Sequence, residues 1–445
     1  MTRTNFWNEA FETMPAAALQ RLESDRLQAQ MAYIYQASNY FRERFDKAGV
    51  KPDSIRQRDD LARLPFMEKS ELAESQLHGA LLGINQCAAM EDIIRIQATG
   101  GTTGRPMRVG WTSRDVADYC EMGAGALWTS GCRPGDLVFE CMNYNLYAGG
   151  VSDHMCFETL GAATIPFGVG NSSRLLEMMG QIDEDISLWA TPSYAIKLAA
   201  KAQEMGIEPR DLGLRKGFFS GEAGMQIAGY REKIEDLWGL KSSDLYGTGE
   251  LGMHCGECEQ RNGVHYGGTG FVLTELIDPD TTDSIPFADG AIGEFVYTSI
   301  RREACPHLRM RSHDLMQVFT EACACGRSSF RFKILGRSDD MFIVKGINVF
   351  PLAVQATLTA MRPRLSGEFQ IILDRAPPID YAPRILVEVA KEVAQSDHES
   401  LKLEIKAAIA SDLNFSASIE FVSEGSLSTE KKSRRLIRSY QENDS

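Results

Sequence analysis

No stretch of the chain approaches the roughly 20 uninterrupted apolar residues that a membrane-spanning helix needs. The opening MTRTNFWNEAFETMPAAALQ also lacks the apolar core of a secretory leader. These absences predict a cytoplasmic protein without a membrane partner. Positive charge is short as well: 47 Lys and Arg face 61 Asp and Glu, a formal net charge of -14, which sets most of the surface against nucleic acid and anionic lipid. Neither an internal repeat nor a low-complexity linker interrupts the 445 residues, a length that predicts two or three domains at about 150 residues each. With 43% of residues apolar and 24% charged, the composition is that of a globular protein and excludes long disorder, collagen and a transmembrane bundle.

Cysteine is the residue the chain does not lack. A protein this long buries a sizeable core without disulfides, and in a reducing compartment cysteines serve as small core residues, metal ligands or nucleophiles. Cys87, Cys120, Cys132, Cys141 and Cys156 are scattered singly through mostly apolar stretches and read as core. Cys255, Cys258, Cys305, Cys323 and Cys325 fall within one short part of the chain.

Residues 16–49 repeat apolar side chains at three-to-four spacing, which predicts one or two amphipathic helices. From about residue 93, short apolar runs (IIRIQA, GDLVFECM, ATIPFG, ISLWAT, RKGFFSG, DLYG) alternate with helical segments, the pattern of an α/β domain with a largely parallel sheet. FVLTELIDPDT and GEFVYTSI follow without a helix and predict an antiparallel region. After GRSDD the texture changes to a hairpin (MFIVKGINVF), a helix opening at Pro351, strands FQIILD and RILVEVA, a helix over 397–413 and a strand ASIEFVS. The expected fold class is therefore α/β, with domains at 1–336 and 337–445, the second a small α+β unit joined by a short hinge.

Between two strands, ATGGTTGRP at 98–106 offers glycines that admit an anion close to the backbone and hydroxyls on Thr99, Thr102 and Thr103, a phosphate cradle or an ordinary flexible turn. It is not a Walker loop. At 244–250, DLYGTGE would let Tyr246 stack on a base and Glu250 reach a magnesium ion, although on its own the segment reads as a tight turn with a solvated Glu. RMRSHDL, GRSDDMFIVKGINVFP and STEKKSRRLIR follow in that order.

Taken together, GTTGRP, SGEAG, YGTGE, RMRSHD and GRSDDMFIVKGINVFP resemble the adenylate-forming superfamily, and within it most closely the phenylacetate-CoA ligase family, over nearly the whole chain. The resemblance implies a large ATP- and acid-binding N-terminal domain and a mobile C-terminal lid. It further implies attack of a carboxylate on the α-phosphate of Mg-ATP and displacement of AMP from the acyl-adenylate by the thiol of CoA. A free-standing enzyme that loads a carrier protein, and a nucleotide-binding relative without turnover, are the alternatives. Thr99, Gly100, Gly101, Thr102, Thr103 and Gly104 would hold phosphates. Ser220, Gly221 and Glu222 would line the adenine, with Tyr246 and Gly247 beside it. Asp314 would accept the ribose hydroxyls, Arg337 would touch the nucleotide, and Asp339 would be the hinge. Glu250 would hold Mg²⁺ with Thr248 nearby, and Gly346 would border the CoA tunnel. Lys432 would bridge carboxylate and α-phosphate, although on its own the stretch Lys431 to Arg438 reads as a solvated basic tail. Two positions depart from the family: Gly249 stands where Ser or Thr is usual, with Thr248 the candidate replacement, and Arg105 stands where Lys is frequent.

The same resemblance points to Cys258, His265, Cys323 and Cys325 as a structural zinc site. A four-thiolate set including Cys255, or plain reduced cysteines, are the other readings. Tyr144, Tyr147 and Gly149 would border the acid, with Phe167 a further aromatic, while Tyr266-Gly267-Gly268 replaces the family's usual Trp-Glu-Asp in the region near the metal loop. An aryl acid is the first expectation for the substrate and a small branched or hydroxylated acid the second. A homodimer is compatible with the family.

Overall fold

The structure, a computed structural model, describes residues 5–99, 106–227, 229–345, 347–427 and 435–442. The chain forms two compact units, Met1–Gly221 with Leu237–Lys333, and Glu222–Asp236 with Ile334–Ser445.

In the first unit, β1 (Ile93–Ala98) and β2 (Arg108–Thr112) form an antiparallel pair of their own. The grouping of IIRIQA with the parallel strands is thereby corrected: the link between the two is too short for a crossover helix, which a parallel partner would require. β3 (Leu137–Glu140), β4 (Ala163–Pro166), β5 (Ile186–Ala190), β6 (Leu214–Phe219) and β7 (Lys241–Thr248) form the parallel half of an eleven-stranded sheet. All five residues of β5 are buried, as a strand covered on both faces requires. β8 (Gly252–Glu257), β9 (Val264–Tyr266), β10 (Val272–Ile277), β11 (Ile292–Ser299), β12 (Met310–Phe319) and β13 (Arg331–Arg337) complete it in the order β10-β11-β12-β13-β9-β8-β7-β6-β5-β3-β4. The expected antiparallel region is β10 against β11. The predicted entry helices are Ala16–Ala37 and Asn39–Lys47, which bury Leu27, Met31, Ile34, Phe41 and Phe45.

The second unit contains the hairpin β14 (Phe342–Val344) and β15 (Ile347–Val349), and a sheet of β16 (Leu365–Leu373), β17 (Arg384–Val389), β18 (Ser418–Ser423) and β19 (Leu436–Arg438) in the order β18-β17-β16-β19. Helices Pro351–Thr359 and His398–Leu413 bury Val354, Leu358, Leu401, Ile405 and Ile409 with Phe369, Ile371, Ile385 and Val387. Among the described residues, no helix is long and apolar enough to cross a membrane.

Candidate active site and metal centre

The turn between β7 and β8 is built by close packing. A Cβ on Gly252, which has φ +82°, would lie 1.6 Å from Tyr119 Cε2, so only glycine lets that ring sit against the turn. Thr248 Oγ1 accepts the Leu251 N–H at 3.1 Å. Glu250 projects from this turn, 7% exposed, and its Oε1 lies 2.6 Å from Nζ of Lys69, the first residue of helix Lys69–Leu77. Burial pushes the Glu250 carboxyl up, but Lys69 and then His307 outweigh it and hold the group near 2. The result is a buried carboxylate kept ionised at neutral pH, which is the form a hard divalent cation binds.

Gly249 abuts Thr99, the residue that leaves β1 for the Gly/Thr-rich loop. The Thr99 N–H donates to the Met107 carbonyl at 2.9 Å, and the Ala98 N–H donates to Leu146 at 2.5 Å. Ala98 also bridges Tyr147, so the loop expected to border the acid lies alongside the strand that opens the phosphate loop. Gly100, Gly101, Thr102, Thr103 and Gly104 lie outside the described residues.

On β7, Tyr246 donates its hydroxyl hydrogen to Asp314 Oδ2 at 2.7 Å, and the Tyr297 hydroxyl is 3.1 Å away. Its ring lies edge-on to Phe332, centroids 5.4 Å apart, and 5.9 Å from His254. Burial and the Asp314 charge push the phenol well above its ordinary range, so it stays a donor. Tyr246 and Asp314, expected at base and ribose, are thus joined directly. A Cβ on Gly247 would meet the Gly252 carbonyl at 2.4 Å. Ser220 and Gly221 follow β6, with the Ser220 N–H on the Ala190 carbonyl at 3.3 Å and Gly221 against Thr191.

Tyr144 binds Glu140 through its hydroxyl, and His154 Nδ1 is 3.0 Å from the same hydroxyl. Glu140 is fully buried, and burial raises its carboxyl to about 9. Gly149 accepts the Trp189 Nε1–H at 3.3 Å through its carbonyl.

In the second unit, Arg337 makes a two-point ion pair with Asp339 at 2.8 and 2.7 Å, and Arg438 donates to the Asp339 carbonyl at 3.1 Å. Glu222 begins this unit's first segment. Lys432 and Gly346 lie outside the described residues. The chain on either side of Lys432 is anchored: Arg435 pairs with Glu368 at 2.7 and 3.1 Å, and the Leu427 N–H donates to Glu388 Oε1 at 2.6 Å. The reading of Lys431 to Arg438 as a solvated tail is corrected at Arg435, whose side chain is largely buried on Glu368; sequence reasoning missed Lys69 and Glu368, because isolated charges on a helix or strand carry no local signal of their partner.

The structure gathers four of the predicted cysteine-cluster residues. Single ligand atoms of Cys258, His265, Cys323 and Cys325 all lie within 4.8 Å of one another. A tetrahedron with metal–sulfur bonds of about 2.3 Å puts its sulfurs about 3.8 Å apart; Cys258 and Cys323 Sγ are 3.7 Å apart, and Cys325 Sγ is 3.3 Å from His265 Nε2. The remaining His265 nitrogen, Nδ1, lies 3.2 Å from Ser329 Oγ, the kind of outer contact that orients a ligating imidazole. The donor set fits a closed four-coordinate metal site. Cys255 on β8 is not part of it, and Cys305 is a core residue whose Sγ faces the Leu82 carbonyl. Cys120, Cys132, Cys141 and Cys156 are buried as expected, and Cys87 partly so.

Comparison with known proteins identifies the family. Residues 346–439 match the AMP-binding enzyme C-terminal domain. The chain is 34% identical over 405 residues to a phenylacetate-coenzyme A ligase of Thermus thermophilus, covering 87% of this chain and 88% of that one. A Pseudomonas putida phenylacetate-coenzyme A ligase is 32% identical, with 89% and 88% covered. Among solved structures, 2-hydroxyisobutyryl-CoA ligase in the postadenylation state with 2-HIB-AMP superposes with a TM-score of 0.91 at 30% identity, covering 100% of this chain and 96% of that one. Fold and relatives together define an adenylate-forming, AMP-forming acid–CoA ligase. Within that class, the chain belongs to the phenylacetate-CoA ligase family.

Proposed function

We propose that the protein converts an aromatic carboxylic acid to its CoA thioester in the cytoplasm. The observation that carries this reading is the continuity of one site in the first unit: Asp314 is bonded to Tyr246, three residues before Gly249, which touches Thr99 and precedes Glu250. Tyr144 and Tyr147 beside that site support an aryl acid. Free cysteines throughout the described chain suit a reducing compartment.

In this reading Thr99 and the glycines and threonines after it bind the phosphates, Ser220, Gly221 and Glu222 line the adenine, and Asp314 takes the ribose. Glu250, kept ionised by Lys69, would hold Mg²⁺, which when bound offsets phosphate charge. Adenylation joins two anions and depends chiefly on cations placed at the phosphates; Lys432 would supply the mobile one. Rotation of the second unit at Asp339 would exchange Lys432 for the Gly346 segment, where pantetheine enters. Cys258, His265, Cys323 and Cys325 would hold a structural Zn²⁺.

The test is acid-dependent AMP release across a panel of aryl and small hydroxylated acids, with CoA or a phosphopantetheinyl carrier as thiol. Release with an aryl acid and CoA is expected; turnover confined to the carrier or to hydroxylated aliphatic acids would refute that choice of partner or substrate. In the same assay Lys432→Ala should abolish adenylation and spare thiolysis of supplied acyl-adenylate, whereas equal loss of both would sink that assignment.

A further inference from the structure

The packing of Gly249 on Thr99 has a specific meaning beside Glu250. A Cβ at position 249 would lie 2.8 Å from Thr99 Cα, 2.8 Å from its Cγ2 and 2.9 Å from its Cβ. Because one of these contacts is to backbone, no rotamer change of Thr99 relieves all of them. The backbone cannot easily retreat either, since Ala98 and Thr99 are tied through their N–H groups to Leu146 and Met107 on separate segments. The space that a side chain at 249 would occupy is therefore already filled, from across the turn, by a threonine.

That threonine is 1% exposed, and its Oγ1 is buried with no hydrogen-bond partner among the described residues. A buried hydroxyl without a partner costs stability unless something else satisfies it. The neighbouring Thr248 hydroxyl is engaged within the turn, accepting the Leu251 N–H. The hydroxyl best placed at this turn thus belongs to residue 99.

We propose that Thr99 and Gly249 form an exchanged pair: the threonine takes the volume of a side chain at 249, and its hydroxyl is the one offered to the nucleotide phosphates beside Glu250. This rests on the nucleotide site proposed above, in which Thr99 already borders the phosphates, and deepens it: Thr99, not Thr248, makes up for the side chain absent at 249. Glycine at 249 is then a requirement of Thr99 and not a loss of function.

Two readouts test the pair, the melting temperature of the ligand-free protein and the calorimetric affinity for Mg-ATP without acid. Gly249→Ala should lower the melting temperature by about 1–4 °C, as overpacking does when each kcal/mol shifts a chain of this length by about 1–1.5 °C. Gly249→Ser in a Thr99→Gly background should melt higher and bind Mg-ATP more tightly than Thr99→Gly alone. Thr99→Val keeps the shape and removes the hydroxyl, so it should melt at or above wild type and bind Mg-ATP about tenfold more weakly. A Gly249→Ala protein as stable as wild type overturns the packing, and a Thr99→Val protein with wild-type affinity overturns the hydroxyl's role. Wild-type protein that does not bind Mg-ATP at all refutes the nucleotide site itself and the hydroxyl's role with it, an outcome distinct from both.

Discussion

Replacing His254 with phenylalanine should flatten the acid side of the stability profile. His254 is fully buried on β8, ringed by Tyr246, Tyr266 and Tyr297 at 5.9, 5.8 and 6.1 Å. Its Nδ1 lies 2.8 Å from the Gly252 carbonyl, an acceptor only, so Nδ1 carries the proton. Its Nε2 has no partner among the described residues. Burial lowers the imidazole from 6.5 to about 4. Because the folded value lies below the unfolded one, the stabilising contribution is complete above pH 6.5 and is lost as pH falls through 4. Linkage gives a loss of about 2 kcal/mol between pH 7 and pH 5 from this residue. His307, also lowered to about 4 by burial and by Arg302, adds a similar slope, so His254→Phe should remove about half of the histidine-linked loss. All five tryptophans, Trp7, Trp111, Trp128, Trp189 and Trp238, belong to the first unit, so urea unfolding followed by tryptophan fluorescence reads that unit alone. The variant gives up the bond to Gly252 and starts about 1 kcal/mol lower at pH 8; the slope is the diagnostic. Profiles that run parallel from pH 8 to pH 5 would refute the reasoning.

Cys325→Ser should bring zinc from about one equivalent toward none and lower the melting temperature whether or not ATP is present, because a structural metal contributes directly to folding. Wild-type protein purified without chelator and carrying well under one equivalent by metal analysis would contradict the assignment. Lys69→Met keeps the aliphatic stem and leaves Glu250 buried without its cation. With Lys69 35% exposed, the loss is about 1–2 kcal/mol at pH 7, below that for a fully buried pair, and Lys69→Arg should recover part of it. An unchanged urea midpoint in Lys69→Met would show that the pair does not hold the turn.

The parallel half of the large sheet was legible because buried strands are continuous apolar runs, as in ISLWA. Strands β8 and β12, which carry GMHCGE and MRSHDLMQVF, were not, since their polar residues and glycines break that pattern. The Cys258, His265, Cys323 and Cys325 cluster was legible from spacing and resemblance, but only three-dimensional placement separates Cys258 from Cys255. The partner of Glu250 was hidden because Lys69 looks like any charge at the start of a surface helix. Gly249 looked like a defect in a motif; it becomes intelligible once Thr99, 150 positions earlier, is seen to occupy its side-chain volume.

The hydrogen bond from Ala98 to Leu146, a residue held at φ +67°, has a consequence for how such enzymes diversify. It ties the segment that would touch the acid to the strand end that positions Thr99. If residues 144–149 border the acid and Thr99 the phosphates, reshaping that segment toward a new acid would pull on the tether, so selection for substrate range would also change the grip on ATP. Compensating changes would then be expected near residues 98–107, and the two specificities would drift as one trait.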